Sequence, residues 1–378
     1  MLSSIATALR STRTSARVRA PALGRHFGTM EDSTNIRGGG YMSTGWRRKP
    51  AVSRILVTGA AGQVGMELVP YLRGIYGAER VIASDVKSPP QDLLHSGPFQ
   101  YIDVLEMTQL SRLIVEENVD TVIHLAAILS AAGEKHPDLA LKINNVGFQN
   151  VLEIARNNKM KVFCPSTIAV FGPSSPLDNT PDDCILRPTT MYGVTKVYGE
   201  LLGEYYHSKY GVDFRSVRYP GVVSGAAMPG GGTTDYAVEI FYEALRHKSY
   251  TCFLEENTYL PMMYMPDLLK GTVDLLNANP NTLQRRVYNM SSMSFTPVQL
   301  AASIRRRIPE FEMKCKPDFR QAIANTWPKK LDDTLARREW GWKPKYDLDS
   351  MVDDILDYMI RNYDDFKDVK LAPVPAKK

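Results

Sequence analysis

The feature that most limits what this chain can fold into is a glycine-punctuated turn, Gly59-Ala60-Ala61-Gly62-Gln63-Val64-Gly65, set between a β-branched run and a helical period. Ile55-Leu56-Val57-Thr58 reads as a buried strand running into Gly59, and residues 63–76 have helical spacing. Glycines at such positions allow a tight turn, close approach of backbone N–H groups to a pyrophosphate, and tight helix–strand packing. Twenty positions past Gly65, the second strand Val81-Ile82-Ala83-Ser84-Asp85 ends on a carboxylate, followed by Val86 and Lys87. A carboxylate there can accept hydrogen bonds from ribose hydroxyls and repels a 2′-phosphate, which favours NAD over NADP. Lys87 partly offsets that repulsion.

Short apolar runs and helical stretches then alternate. Strands are expected at 99–103, 121–125, 162–164 and 214–219, with helices over 137–157 and 189–210. Continuous apolar strands imply a sheet covered on both faces. The expected fold is therefore α/β: a doubly wound parallel sheet of Rossmann type over 53–222. After about 222 the texture changes to a glycine loop (Met228-Pro229-Gly230-Gly231-Gly232), a helical period over 236–246 and mixed short elements with many prolines. Residues 223–370 are expected to form mainly a smaller C-terminal α/β substrate lobe with some sheet-completing elements, before a tail at 371–378.

The net charge of +5 is carried by one end of the chain. Residues 1–30 hold five arginines (Arg10, Arg13, Arg17, Arg19, Arg25) and no acid. Without them 41 basic residues face 41 acids, a balance that argues against a nucleic-acid partner. An arginine-rich, serine-rich, acid-poor stretch with Leu2, Ile5 and Leu9 on one helical face has the chemistry of a mitochondrial transit peptide, expected over 1–28 and directing the chain to the matrix. Residues 29–52 read as a flexible lead-in. No apolar run approaches the roughly 20 residues of a membrane helix. Cys164, Cys184, Cys252 and Cys315 are scattered, and the six histidines form no paired motif, so no metal site is expected.

Two constellations carry chemistry. Tyr192 and Lys196 lie four apart on the 189–210 helix and so share a face. A phenol, with an ordinary pKa of about 10, is a poor base near neutrality. A neighbouring ammonium would favour its phenolate. Ser166-Thr167 ends the fifth strand, where a hydroxyl could hold a substrate oxygen against the tyrosine. The alternative is that both hydroxyls satisfy strand-end backbone groups.

Together with Asp103-Val104, His124-Leu125-Ala126-Ala127, Asn144 and Val170-Phe171-Gly172, these motifs resemble the extended short-chain dehydrogenase/reductases over residues 53–222. That resemblance implies a catalytic Tyr192 and Lys196, the lysine also holding the cofactor ribose. It makes Thr167, four before Phe171 and 25 before Tyr192, the hydroxyl partner. Ser166 is kept beside it as a second catalytic candidate. The resemblance puts Asp103 and Val104 at the adenine, and Leu125, Ala126, Ala127, Asn144 and Val222 along the cofactor. The family usually has tyrosine where this chain has Phe171, for which only packing is expected.

Within that family, sugar-nucleotide epimerases and dehydratases usually place asparagine after an Arg-Tyr/Phe-Pro run. This chain reads Arg218-Tyr219-Pro220-Gly221. The second half resembles instead the branch that oxidises threonine with NAD, on Gly232-Thr233-Thr234-Asp235-Tyr236, Met263-Tyr264-Met265-Pro266-Asp267, Trp327-Pro328 and Trp340-Gly341-Trp342. Candidate substrate residues are Ser130, Thr233, Thr234 and Trp327 beside Thr167 and Tyr192, with Trp340 and Trp342 expected to fill core. The resemblance further implies a homodimer through helices 137–157 and 190–210. It also implies coupling to a pyridoxal-phosphate-dependent 2-amino-3-ketobutyrate CoA ligase yielding glycine and acetyl-CoA. A non-catalytic NAD-binding scaffold is the remaining alternative, against which the intact Tyr192 and Lys196 stand.

Overall fold

In the computed structural model, residues 54–226, 230 and 232–374 are described; the expected transit peptide (1–28) and lead-in (29–52) lie outside them. The strands of the first half are β1 Ile55–Thr58, β2 Val81–Asp85, β3 Phe99–Tyr101, β4 Thr121–His124, β5 Lys161–Phe163, β6 Ser166–Thr167 and β7 Asp213–Tyr219. Then follow β8 Gly221–Val223, β9 Ser249–Cys252, β10 Leu260–Tyr264, β11 Val287–Asn289, β12 Met293–Phe295 and β13 Glu312–Cys315. The main sheet runs β11-β7-β5-β4-β1-β2-β3, with β6 beside β7, and every pairing in it is parallel. The order reverses between β1 and β4, the switch point at which open α/β sheets bind ligands beyond their strand ends.

The apolar strand sequences are explained by burial on both faces. Ile55 and Val57 of β1 point into a cluster with Leu68, Val69 and Leu72 of the helix Gln63–Tyr76 and Leu268, Leu275 and Leu276 of Met265–Asn277. Leu56 points the other way, onto Leu110 and Leu113 of Met107–Glu116 and Leu152 of Phe148–Asn158. The same alternation holds for Val122 against Ile123 and Val162 against Phe163. A large-to-alanine change at such a position costs roughly 2–5 kcal/mol.

The second half does not form a separate body. β11 completes the main sheet from residues beyond 222. The remainder builds a three-stranded sheet β12-β10-β8, a parallel pair β13-β9, and helices Tyr236–His247, Pro297–Arg305 and Leu348–Asn362. Its core includes Ile168 to Phe171 from the first half, and Tyr192 and Val197 pack against it. Trp342 fills core near β11, donating from Nε1 to the Ser291 carbonyl at 2.9 Å and Asp333 at 3.0 Å, with Trp340 packed beside it. The tail is tied down as far as Ala372, which exchanges two backbone-directed bonds with Arg307.

One expected helix departs from regular form. Residues 137–157 split into Pro137–Leu141, a π-helical stretch Lys142–Gly147, and Phe148–Asn158. Wide turns of this kind are common at functional sites. Here the stretch carries the buried Asn144.

Candidate active site

The glycine turn is shaped by close backbone approach. Gly59 has φ +71°, and a Cβ there would lie 2.5 Å from the Ala126 nitrogen, so the turn presses directly on the loop after β4. A Cβ on Gly65 would meet the Ala60 carbonyl oxygen at 2.6 Å, which lets the following helix sit against the turn. That helix, Gln63–Tyr76, begins at Gly62 with no side-chain cap and no acid in its first turn. Its N-terminal N–H groups and dipole suit a bound anion such as a pyrophosphate. Gln63 and Val64 open it half-buried, with Val64 against the sheet core.

Asp85, buried at the end of β2, accepts from the Ala61 N–H at 3.0 Å and the Lys87 N–H at 2.9 Å. Each carboxylate oxygen keeps acceptor capacity for a ribose hydroxyl while strapping the turn to β2. Val86 beyond it is exposed. Asp103 accepts from the Leu105 N–H at 2.9 Å and Val104 is buried, its side chain in the way of any Cβ on Gly147. The donor-rich turn and free carboxylate positions fit an NAD cofactor held by residues 59–65 and 85–87.

Asn144, expected along the cofactor, is bonded to two neighbouring residues. Its Oδ1 accepts from the Ile128 N–H at 2.8 Å, and its Nδ2 donates to the Ile128 carbonyl at 3.1 Å and Thr195 Oγ1 at 3.0 Å. Both amide hydrogens are committed, so Asn144 contributes by fixing the loop that carries Leu125, Ala126 and Ala127. His124, at the head of that loop, is hydrogen-bonded to Thr58 and stacked on Phe148. Burial, helped by the Lys196 ammonium, holds its imidazole down to about 3, so it is neutral at physiological pH.

The helix Met191–Tyr210 starts from Thr190, whose Oγ1 accepts from the Gly193 N–H at 3.1 Å, and ends at Gly211 in the left-handed region. Glu134 accepts from the Met191 N–H at 2.7 Å, and a Cβ on Gly133 would lie 4.0 Å from Tyr192 Cβ, so the short helix Ser130–Lys135 packs beside the start of this helix. A Cβ on Gly193 would fall 2.3 Å from the Ala169 carbonyl, so glycine is what lets this helix close on the segment after Thr167. Tyr192, Lys196 and Thr167 are all half-buried. The Lys196 ammonium lies 5.7 Å from the centre of the Tyr192 ring and donates to the Pro165 carbonyl at 2.7 Å. Thr167 Oγ1 accepts from the Ala169 N–H at 3.2 Å, which leaves its own O–H free to donate elsewhere.

Ser166, expected beside Thr167 as a second catalytic hydroxyl, has its hydroxyl engaged within the fold. Buried beside Glu200, it donates its hydroxyl to that carboxylate. Glu200 in turn takes a two-pronged pair from Arg218 at 2.9 and 2.8 Å. Glu200 is four residues past Lys196 and continues the Tyr192/Lys196 spacing along the helix, a signal present in the sequence. Phe171 lies under the Arg218 guanidinium at 5.2 Å, in the packing role expected.

On the lobe side Thr233 is buried and Thr234 half-buried, on the turn before helix Tyr236–His247. Asp235 accepts from the Gly230 and Gly232 N–H groups at 2.6 and 2.9 Å and holds that turn closed. Gly221 faces it: a Cβ there would lie 2.4 Å from Met262 Sδ and 2.7 Å from Thr234 Cγ2. Val222 pairs with Met263 across β8 and β10. Trp327 is buried in the lobe core, which favours packing over direct substrate contact.

Comparison with known proteins fits this site. Residues 55–291 match the NAD dependent epimerase/dehydratase family. The chain belongs to that family. As a member of the NAD dependent epimerase/dehydratase family it takes NAD, in agreement with the turn and Asp85. Among family relatives, the mitochondrial L-threonine 3-dehydrogenase of Bos taurus is 46% identical over 306 residues, 81% of this chain and 82% of that protein. The crystal structure of L-threonine dehydrogenase from Phytophthora infestans superposes with a TM-score of 0.80 at 57% identity, covering 82% of this chain and 99% of that one. The L-threonine dehydrogenase of Clostridium difficile gives 0.81 at 47% identity, covering 82% and 98%.

Proposed function

We propose that the chain oxidises L-threonine at its 3-hydroxyl with NAD⁺, giving 2-amino-3-oxobutanoate and NADH. The observation that carries this reading is the packing at Gly221. Met262 and Thr234 leave no room for a side chain where sugar-nucleotide enzymes of the family usually have asparagine, and the same contact draws the Thr233-Thr234 turn over β8. The threonine dehydrogenases among the relatives support the substrate.

Bound NAD⁺ supplies the hydride acceptor. Tyr192, as phenolate, takes the proton of the substrate hydroxyl, and the nearby Lys196 ammonium favours that ionised form. The Thr167 O–H, left free by its bond from Ala169, donates to the same substrate oxygen and orients it. As the oxygen becomes a carbonyl, hydride leaves the carbon that bears it. Ser130, Thr233 and Thr234 offer compact hydroxyls for the substrate carboxylate and ammonium. Purified protein incubated with NAD⁺ and a panel of β-hydroxy amino acids and simple alcohols, with NADH followed at each, and with UDP-sugars, with the sugar product followed by chromatography because epimerisation releases no net NADH, tests the reading. Threonine should dominate the panel, and turnover of a UDP-sugar alone would replace it with an epimerase.

The helices around Tyr192 leave Leu139, Leu141, Val146, Val194, Leu201 and Tyr205 exposed, an apolar face that supports a homodimer through these helices. Light scattering of the purified protein tests it. The arginine-rich residues 1–28, and the mitochondrial naming of the Bos taurus relative, support import into the matrix. A fusion of residues 1–28 to a fluorescent reporter tests that. There the product would pass to a ligase that cleaves 2-amino-3-oxobutanoate with coenzyme A.

A further inference from the structure

The strand-end segment that carries Thr167 is gripped at two neighbouring points by the helix that carries Tyr192. Tyr192, Lys196 and Glu200 are spaced four apart and lie along one face of that helix. Lys196 Nζ donates to the carbonyl of Pro165 at 2.7 Å, and the hydroxyl of Ser166 donates to Glu200 Oε1. Thr167 is the next residue. The grip is closed from the opposite side by Arg218, which is the register partner of Ser166 across β6 and β7 and binds both oxygens of Glu200.

Ser166, Glu200 and Arg218 are each about 4% exposed, so the ion pair is removed from water. A buried pair of this kind often contributes little net stability compared with apolar packing of the same volume. Arg218 Nη1 also donates, to the Asp182 carbonyl at 2.7 Å and Asn289 Oδ1 at 3.1 Å. Asn289 lies on β11, and its N–H donates to the Asp182 carboxylate at 2.5 Å. The network therefore has fixed geometry, and the Ser166 hydroxyl ties it to the residue before Thr167.

We propose that Ser166, Glu200 and Arg218 form a buried clamp that sets the position of Thr167 against Tyr192, making Ser166 and Glu200 positioning residues for the oxidation. Catalysis by a bound base demands that the reacting oxygen be held to within a fraction of an ångström, and a displacement of about 1 Å can cost a hundredfold. The clamp supplies that constraint to a β6 only two residues long, which has few ladder bonds of its own. This inference rests on the threonine-oxidising reading for its kinetic test, and on the fold alone for its structural one.

The variant that isolates the clamp is Ser166→Ala, which removes one hydroxyl and leaves the Glu200–Arg218 pair in place. It should lower kcat for threonine about tenfold, with KM and binding affinity for NAD⁺ unchanged. The amide of Ala169, which donates to Thr167 Oγ1, should exchange its hydrogen about tenfold faster in the cofactor-free protein. Neither readout follows from a loss of global stability, which thermal unfolding would register separately. Wild-type kcat per folded molecule together with wild-type exchange at Ala169, whatever the change in Tm, would overturn the clamp. If the wild-type chain makes no NADH from threonine, the functional reading fails, and the Ala169 exchange alone then decides for or against the clamp.

Discussion

The turn at Gly59–Gly65, where the helix Gln63–Tyr76 begins, and the turn at Gly232–Asp235, before the helix Tyr236–His247, are made of different material. The first presents backbone: its glycines press on Ala126 and Ala60, and its helix begins with uncapped N–H groups. The second presents side chains, Thr233 and Thr234, held by an aspartate that satisfies the glycines before it. A backbone surface recognises what all dinucleotides share, and it tolerates almost any sequence that keeps the glycines. A side-chain surface can be rewritten one residue at a time. We therefore propose that substrate specificity belongs to the second turn, and cofactor binding to the first.

Mutations that act on one side only would sharpen this contrast. The largest effect is expected at the junction of the two. Tyr192→Phe should lower kcat by about 10²–10⁴-fold while NAD⁺ binding by calorimetry is unchanged; retention of more than about a tenth of wild-type kcat would remove Tyr192 as the base. Next, Thr233→Ala with Thr234→Ala should lower kcat/KM for threonine by about 10–100-fold, or roughly 1.4–2.7 kcal/mol, at constant NAD⁺ affinity. A weakened NAD⁺ affinity in that double variant would mean the two turns are not separable.

Asp85→Ala addresses the first turn. It should shift the NAD/NADP preference toward NADP by about tenfold, through loss of roughly one charged hydrogen bond, and leave threonine KM unaltered. Steady-state kinetics with both cofactors decide it, and an unchanged ratio means that Asp85 serves only Ala61 and Lys87. The smallest effect lies on the seam. Glu67, on the cofactor helix, accepts from Ser224 at 2.6 Å, and burial lifts its carboxyl to about 7 from an ordinary 4.5. Folding then takes up a proton between those values, so this contribution is full below 4.5 and is lost as pH rises through 7. Glu67→Gln should accordingly raise Tm by about 2–4 °C at pH 8 and leave it nearly unchanged at pH 4. Equal shifts at both pH values would show that Glu67 is not protonated in the folded protein.

The same contrast explains what could be read in the chain before its fold was known. β1, β2 and the first helix were legible to the residue because buried parallel strands and a phosphate turn constrain type and spacing together. The Tyr192 helix was legible for its spacing. The π-helical stretch at Lys142–Gly147 was not, since its widening follows from Asn144 reaching Ile128 and Thr195. Those contacts are tertiary, and no local pattern announces them. The partner of Ser166 was not legible for a related reason: beside Thr167 it looks like a second hydroxyl for the substrate, and only the fold shows Glu200 behind it. Glu200 itself was within reach, four positions past Lys196, but an acid on a helix usually faces water.

The position of β11 has a consequence for how such a chain comes into being. Its register partner is β7, and the lobe's first helix, β9, β10 and the helix Met265–Asn277 all lie between them in sequence. During synthesis the cofactor sheet stays open along the β7 edge until residue 289 has emerged, long after the nucleotide turn is complete. A chain cut at 222 would expose that edge as a template for aggregation. Recombination between relatives is constrained in the same way: the lobe cannot be exchanged as one block without taking the sheet's last strand with it, whereas the turn at 230–235 can be.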